Sequence, residues 1–262
     1  MKLGILTGSG TYALDELERP EVREIQTRFG GVTATEGRLA GVDVVHVSRH
    51  GQGHVRLSSH VNHRANTVAL REAGVDAILA VTVCGAVDRD VELGSLIVFD
   101  DLHFLVNRLA DGSVCSLYAE GEPGRGHWIF DRPFSQPLRQ ALLAAAAEIG
   151  GPTRDGGCYG HVDGPRFNSR TEIRMLAQCG VTAVSQTAGA ETVLAGEAGL
   201  PYALLGYATD YANGVIDPPT PVAELVRLIE ASTGVFGRAL AAAVPRLAGA
   251  TIEPTGSHFR FD

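Results

Sequence analysis

Several short apolar runs in this sequence end in residues that can bind an anion or move a proton. Lys2–Leu6 breaks at Thr7-Gly8-Ser9-Gly10, and Val42–Val47 ends in Ser48-Arg49-His50. A glycine turn lets backbone amides approach an anion, and Ser9 adds a hydroxyl. Arg49 can offer phosphate a planar fork of donors. The two segments predict an anion clamp, although a glycine turn after a strand is common in folds of every function.

A third apolar run, Ala77–Val81, leads into Thr82-Val83-Cys84-Gly85, another hydroxyl followed by a glycine turn. Before it, Ser58 or Ser59 is expected to cap a helix that reaches about Ala73. A metal site built from His50, His54, His60 and His63 is disfavoured, because glycines interrupt the segment and no carboxylate lies nearby. The sequence therefore predicts no metal.

The stretch Val181–Tyr211 predicts the elements that would position the other half of a site. Val181–Val184 passes through a polar turn into a helical pattern, and Tyr202–Tyr207 ends at Ala208-Thr209-Asp210. This pattern is typical of a βαβ unit, and ligands in open α/β sheets sit beyond the carboxyl ends of strands. We expect Thr187, with Gln186, to face the same crevice as Asp210. A βαβ unit alone is more often structural than catalytic.

Asn107–Arg132 shows no sustained period, is rich in glycine and contains the only tryptophan, Trp128. A loop of this length in a compact domain is usually a lid, an active-site loop or an interface. The tail from about Ala250 has no clear pattern. Because no repeat or linker interrupts the chain, residues 1–262 are predicted to form a single domain.

The charge, the apolar runs and the cysteine spacing of the sequence argue against several classes of protein. The net charge of −8 over 262 residues argues against a nucleic-acid-binding protein, which needs a basic face. No apolar run approaches the roughly 20 residues of a membrane span. The N-terminal apolar run is too short for a signal peptide, so a cytoplasmic location is expected. The four cysteines form no C-x-x-C pair, so neither a disulfide framework nor a zinc site is indicated.

Seven segments carry motifs in a fixed order along the chain. They are Thr7-Gly8-Ser9-Gly10, Arg49-His50-Gly51-x-Gly53-His54, Val61-Asn62-x-Arg64-Ala65-Asn66, Thr82-Val83-Cys84-Gly85, Asp163-Gly164-Pro165-Arg166-Phe167, Glu191–Gly199 and Ala208-Thr209-Asp210-Tyr211. In this order they resemble the methylthioadenosine phosphorylases, which belong to the trimeric purine nucleoside phosphorylases. The resemblance covers nearly the whole chain, and the block from Arg49 to Gly85 is specific.

The resemblance implies an α/β fold with a mixed central sheet, partly curled into a barrel and flanked by helices, assembled as a homotrimer. It implies phosphorolysis of a purine nucleoside to the free base and a sugar 1-phosphate. Inorganic phosphate would be the co-substrate, and no cofactor would be needed. The phosphate site of the family falls on Ser9, Arg49, His50, Thr82 and Thr187.

The same resemblance implies roles around the nucleoside. Phe167 would stack on the purine, and Asp210 would be the catalytic residue at the base N7. His127 would come from the neighbouring subunit to cover the 5′ substituent. The remaining substrate contacts would be Val83, Cys84, Gly85, Gln186 and Ala212.

The sequence departs from the family around the base and the sugar. Gln186 takes the place of a methionine against the ribose, Ala188-Gly189-Ala190 replaces a turn with proline, and Ala212 replaces a second aspartate. Asp210 favours a 6-aminopurine, such as 5′-methylthioadenosine or another 5′-deoxy-5′-substituted adenosine. The alternatives are a 6-oxopurine nucleoside (inosine, guanosine or methylthioinosine) and a noncatalytic nucleoside-binding homologue. A nucleoside hydrolase is not supported, because the sequence has no visible aspartate cluster to hold calcium.

Overall fold

The computed structural model describes residues 1–261, which form thirteen strands and five α-helices. The strands are β1 (Lys2–Thr7), β2 (Glu18–Thr27), β3 (Gly30–Leu39), β4 (Val42–Ser48), β5 (Ala77–Ala86), β6 (Leu96–Val98), β7 (Asp101–His103), β8 (Gly126–Ile129), β9 (Thr153–Asp155), β10 (Cys158–His161), β11 (Val181–Ser185), β12 (Tyr202–Tyr211) and β13 (Ser257–Arg260). The helices are α1 (His63–Glu72), α2 (Gln136–Ile149), α3 (Arg170–Gln178), α4 (Ala188–Glu197) and α5 (Val222–Arg246).

Eleven of the strands form one mixed sheet, with β5 as its branch point. One path runs β2-β3-β4-β1-β5-β11-β10-β7, and a second leaves β5 through β12 and β6 to β9. The predicted α/β fold with a mixed sheet and flanking helices is confirmed. Among the described residues the pairings close no ring, so partial curling into a barrel stays a prediction, as does the assignment of residues 1–262 to a single domain.

Helices cover both faces of the sheet, and the alternation of side chains along β5 and β12 separates two cores. Leu79 and Leu205 face α2 and α5, where they pack with Leu142 and Leu240. The neighbouring residues of the same strands, such as Ile78, face α1 and α4. Because helices cover both faces of the sheet, the residues on both sides of β5 and β12 are apolar. Each strand therefore appears in the sequence as a continuous apolar run. Both strands are thereby fixed in the centre of the molecule.

The strand β11 runs in the opposite direction to the one expected. It is antiparallel to β5, which pairs in parallel with β12, so the predicted βαβ unit is wrong. The pairing involves only the last residues of β5, where Gly85 lies opposite Val184. The carboxyl end of β11 therefore still reaches the edge at which β1, β4, β5 and β12 end. The direction of β11 cannot be predicted from its own segment, because its partner strand β5 lies about a hundred residues earlier in the chain.

Two helix starts test the capping predictions. The helix α1 begins later than expected, because Asn62 rather than Ser58 or Ser59 is its N-cap and accepts a hydrogen bond from the Ala65 amide. Ser169 caps α3 in a capping box with Glu172, which is the pattern of Ser169-Arg170-Thr171-Glu172. Among the described residues, no helix combines the length and the apolar composition that crossing a membrane requires.

The long loop before α2 contains a strand that its sequence did not indicate. This strand, β8, pairs in an antiparallel manner with β13 from the C-terminal tail. The indole of Trp128 on β8 lies against Gly196 of α4 and donates to the Thr255 carbonyl at 2.7 Å. The loop and the tail thus stabilise each other, and neither has an apolar period because each buries little by itself.

Candidate active site

A cavity of ≈ 280 Å³ opens at the edge of the sheet where β1, β4, β5 and β12 end. Because these strands are parallel to their neighbours in this set, their carboxyl ends lie together. All but one of the predicted site residues line the cavity: Ser9, Arg49, His50, Thr82, Val83, Cys84, Gly85, Phe167, Gln186, Thr187, Asp210 and Ala212. The exception is His127.

Arg49 is buried in an ion pair at the floor of the cavity. Its Nε and Nη2 donate to the two carboxylate oxygens of Glu191 at 2.6 and 2.8 Å. Nη1 donates to the Val81 carbonyl and Nη2 also to the Leu6 carbonyl. Of the five N–H groups of a guanidinium, one on Nη1 is left, and this nitrogen lies against Gly8. The fork that the sequence assigns to phosphate is therefore occupied by Glu191.

Glu191 keeps its charge in spite of complete burial. Burial by itself would raise the pKa of this carboxyl, but the adjacent Arg49 guanidinium outweighs it and holds the pKa below the ordinary value. The Tyr202 hydroxyl adds a hydrogen bond of 3.1 Å to the carboxylate. The pair carries no net charge, and only one guanidinium N–H, on Nη1, lacks a partner within it.

His50 follows Arg49 and is also buried. Its Nδ1 lies 2.9 Å from the Arg56 carbonyl oxygen, and its ring stacks on that of His54 with 4.2 Å between centroids. Burial, and then the positive charge of Arg49, lower the pKa of His50 to about 4. The ring is therefore neutral near physiological pH.

Hydroxyl groups surround the same end of the cavity. The Thr82 hydroxyl lies 3.2 Å from that of Ser185 and 3.0 Å from the Val83 carbonyl. Thr187 is the N-cap of α4, and the Tyr159 hydroxyl accepts hydrogen bonds from the Thr187 and Ala188 amides. Within residues 1–261 the hydroxyls of Ser9 and Thr187 have no hydrogen-bond partner, so both are available to an anion in the cavity.

Asp210 lies on a bulge of β12 and lines the cavity three residues further along β5 than Thr82, because it pairs with Gly85. The register between β12 and β5 shifts at Thr209, and this shift places Asp210 opposite Gly85. The Thr209 hydroxyl donates to Asp210 Oδ1 at 3.0 Å. Burial raises the pKa of this carboxyl, and the Thr209 hydrogen bond opposes the shift only in part. A Cβ at Gly85 would lie 3.3 Å from Oδ2, so the glycine makes room for the carboxyl.

Gln186 spans the wall of the cavity between two loops. The Ser58 hydroxyl donates to its Oε1 at 2.7 Å, and its Nε2 donates to the Arg166 carbonyl at 3.2 Å. A Cβ at Gly164 would lie 1.9 Å from Oε1 and 2.3 Å from the Ser58 Oγ. The glycine is thus the residue that leaves space for this bridge.

Aromatic and amide groups border the Asp210 end. Phe167 is 60% exposed and lines the cavity, so one face of its ring is free to stack on a planar ligand. Asn213 donates from Nδ2 to the Asn168 carbonyl at 2.7 Å. Because that carbonyl can only accept, the Asn213 amide is oriented with its Oδ1 free.

The remaining wall is apolar, and it was not predicted from the sequence. Leu225 and Ile229 of α5 line the cavity, and a Cβ at Gly10 would lie 3.0 Å from the Ile229 carbonyl oxygen. His127 lies on β8 outside the cavity, with its ring 5.6 Å from that of Phe261.

Among residues 1–261 no group of three or more His, Cys, Asp or Glu side chains could hold a metal ion.

The family model described as the phosphorylase superfamily matches residues 2–245. The chain belongs to the phosphorylase superfamily. Relatives within it include S-methyl-5′-thioadenosine phosphorylase of Drosophila melanogaster, 35% identical over 80% of this chain and 73% of the relative. A probable 6-oxopurine nucleoside phosphorylase of Moorella thermoacetica is 31% identical over 88% of this chain and 87% of the relative.

A solved structure of the superfamily superposes on nearly the whole chain. Methylthioadenosine phosphorylase from Schistosoma mansoni in complex with adenine matches with a TM-score of 0.87 and 28% identity, covering 95% of this chain and 92% of that one. The resemblance inferred from the sequence motifs is confirmed.

Glu191 begins one of the motif segments of the sequence, but its role as the partner of Arg49 was not predicted. It lies 142 positions after Arg49 and inside an apolar helical pattern. The feature that could have indicated this role is an acidic residue within an apolar helical pattern, since a buried carboxylate needs a partner.

Replacing Glu191 by Gln should destabilise the protein, because it leaves the charge of Arg49 buried without its counter-charge. We expect a loss of about 3–5 kcal/mol in the free energy of unfolding, measured by urea denaturation. The matched control is Glu224→Gln, which breaks an exposed pair with Arg227 on α5 and should leave the unfolding midpoint near that of the wild type. Equal losses in the two variants would contradict a special role for the buried pair.

Proposed function

We propose that this chain is a purine nucleoside phosphorylase, a pentosyltransferase whose main substrate is 5′-methylthioadenosine or another 5′-deoxy-5′-substituted adenosine. The products are adenine and a sugar 1-phosphate, and phosphate is the co-substrate with no further cofactor. The observation that carries the proposal is that one cavity holds hydroxyls suited to an anion at one end and a buried carboxyl with a raised pKa at the other.

The two ends match the charges that the reaction develops. As the glycosidic bond stretches, the sugar becomes positive and the purine negative. Phosphate held by Ser9, Thr82 and Thr187 places a negative charge beside the sugar carbon that it attacks. Asp210, protonated while it faces the base, donates to N7 and stabilises the leaving group.

A 6-aminopurine is favoured by the acceptors at the base end. Ala212 removes one acceptor that the resemblance leads us to expect, but Asn213 presents its free Oδ1 from the next position. That oxygen can accept from an exocyclic amine. One N–H of the same amide is still available, and this observation keeps a 6-oxopurine substrate as the second candidate, in agreement with the 6-oxopurine phosphorylases among the relatives.

An apolar 5′ substituent suits the wall formed by Leu225 and Ile229. A methylthio group can pack against two aliphatic side chains, whereas a 5′ hydroxyl there would lose hydrogen bonds to water. The relatives that act on methylthioadenosine support the same choice.

The first test is phosphate dependence. Incubation of the enzyme with methylthioadenosine should release adenine and a sugar 1-phosphate, with a rate that requires phosphate, because phosphate is the attacking group. Asp210→Ala should lower kcat by about a hundred- to ten-thousandfold, which is the usual contribution of a general acid. Base release that is equally fast in phosphate-free buffer would instead identify a hydrolase, and no release with any purine nucleoside would identify a noncatalytic homologue.

The second test concerns the base. We expect kcat/KM to be higher for methylthioadenosine than for methylthioinosine. Asn213→Ala should lower kcat/KM for methylthioadenosine by about 5- to 100-fold, since the amine then lacks an acceptor in the closed site. Methylthioinosine, measured with the same variant, is the comparison substrate and should lose less, because its 6-oxo group needs no acceptor. A wild-type preference for methylthioinosine would favour the 6-oxopurine alternative.

The active unit is proposed to be a homotrimer in which His127 reaches the 5′ end of a neighbour's site. The support within one chain is that His127 is exposed and stands apart from its own cavity, whereas Trp128 is held against Gly196 of the same chain.

Subunit mixing tests this assembly. His127→Ala should raise KM, because the 5′ group loses its cover, and Asp210→Ala should be nearly inactive. Mixed oligomers of the two variants contain sites with an intact Asp210 and a neighbour's intact His127, so part of the low-KM activity should return. A fully active monomer in sedimentation at assay concentration, or no recovery on mixing, would exclude the shared site.

A further inference from the structure

The ring of His50 is held with its two nitrogen atoms in defined roles. Nδ1 lies 2.9 Å from the Arg56 carbonyl oxygen. A carbonyl has no hydrogen to give, so Nδ1 must carry the hydrogen of this bond. The stacked ring of His54, inclined by only 12°, holds the plane of the imidazole. In a neutral ring Nε2 is consequently an acceptor.

The surroundings of His50 keep the ring neutral. The side chain is 5% exposed, and burial followed by the charge of Arg49 lowers its pKa to about 4. Glu191 faces the ring with the opposite charge, but that carboxylate is paired with Arg49. No net positive charge is therefore supplied to the cavity by Arg49, Glu191 and His50 together.

Most other groups at this end of the cavity can donate a hydrogen bond to any oxyanion. The hydroxyls of Ser9 and Thr187 can do so, and Arg49 has one N–H left on Nη1. His50 differs from them, because its Nε2 offers only a lone pair. An oxygen that faces Nε2 is attracted only if it bears a hydrogen, and a bare oxygen is repelled.

We propose that His50 is a specificity-determining residue that selects an oxyanion bearing a hydrogen, such as hydrogen phosphate, over oxyanions that have none, such as sulfate. The inference rests on the proposed function, in which phosphate is the co-substrate of this cavity, and it deepens that function by naming the protonation state that is bound. Arsenate, which also carries a hydrogen near neutral pH, belongs to the accepted class.

Anion binding to the wild-type enzyme tests this inference. Isothermal titration calorimetry near neutral pH, with the free enzyme and again with adenine present, should compare phosphate, arsenate, sulfate and monofluorophosphate. Monofluorophosphate is the sharpest probe, because it has the charge and nearly the size of hydrogen phosphate but fluorine in place of the hydroxyl. We expect phosphate and arsenate to bind about ten- to a hundredfold more tightly than the other two. Equal affinities, or no anion binding at all, would overturn the proposal.

A pair of variants separates His50 from the rest of the site. In His50→Asn the side-chain amide can donate as well as accept, so the affinities for the four anions should converge. Thr187→Val removes a donor that all four share, and it should weaken every anion by a similar factor while the ratio between them persists. A ratio that survives in His50→Asn would assign the selectivity to another group.

Failure of this inference and failure of the proposed function give different results. If the inference fails, monofluorophosphate and phosphate bind equally to an enzyme that still cleaves methylthioadenosine with phosphate. If the function fails, no purine nucleoside is cleaved in a phosphate-dependent manner, whatever the order of anion affinities.

Discussion

The site depends on one buried ion pair, between Arg49 at the end of β4 and Glu191 in α4. Through its hydrogen bonds this pair also ties the Leu6 carbonyl of β1, the Val81 carbonyl of β5 and the Tyr202 hydroxyl of β12. Burying two charges is costly unless each is fully paired, and here every carboxylate oxygen and all but one guanidinium N–H have a partner. The elements that form the floor of the cavity are thus fixed to one another before any ligand binds.

This constraint also sets the electrostatics of the proposed reaction. With Arg49 neutralised by Glu191 and with His50 uncharged, phosphate in the proposed reaction would be held by hydroxyl and N–H dipoles rather than by net charge. The negative charge of a bound dianion would then be only partly neutralised by the protein, and its electrostatic field would persist. In a cavity of low dielectric that field acts on the neighbouring sugar, where positive charge develops as the glycosidic bond breaks. A floor with two free cations would bind phosphate more tightly but would cancel the charge that favours the transition state.

What could be predicted from the sequence follows from which interactions are local. Ser9, Arg49, Thr82 and Asp210 were placed at one edge because each follows an apolar run, and parallel strands share their carboxyl edge. The antiparallel course of β11 and the β8–β13 pairing could not be predicted, since they depend on partners far away in the chain. The same holds for Glu191, because a helical pattern does not reveal which buried position meets an arginine 142 residues earlier.

Gln186, which departs from the family pattern, is compensated within the fold. Gln186 would introduce an unpaired amide beside the sugar, but Ser58 and the Arg166 carbonyl hydrogen-bond to both of its polar ends. Gly164 supplies the space, since any side chain there would collide with Gln186. Three separate segments are thus matched around one glutamine. In this bridge both polar ends of Gln186 are satisfied by the protein, so neither has to be paired by a ligand in the cavity that the residue lines.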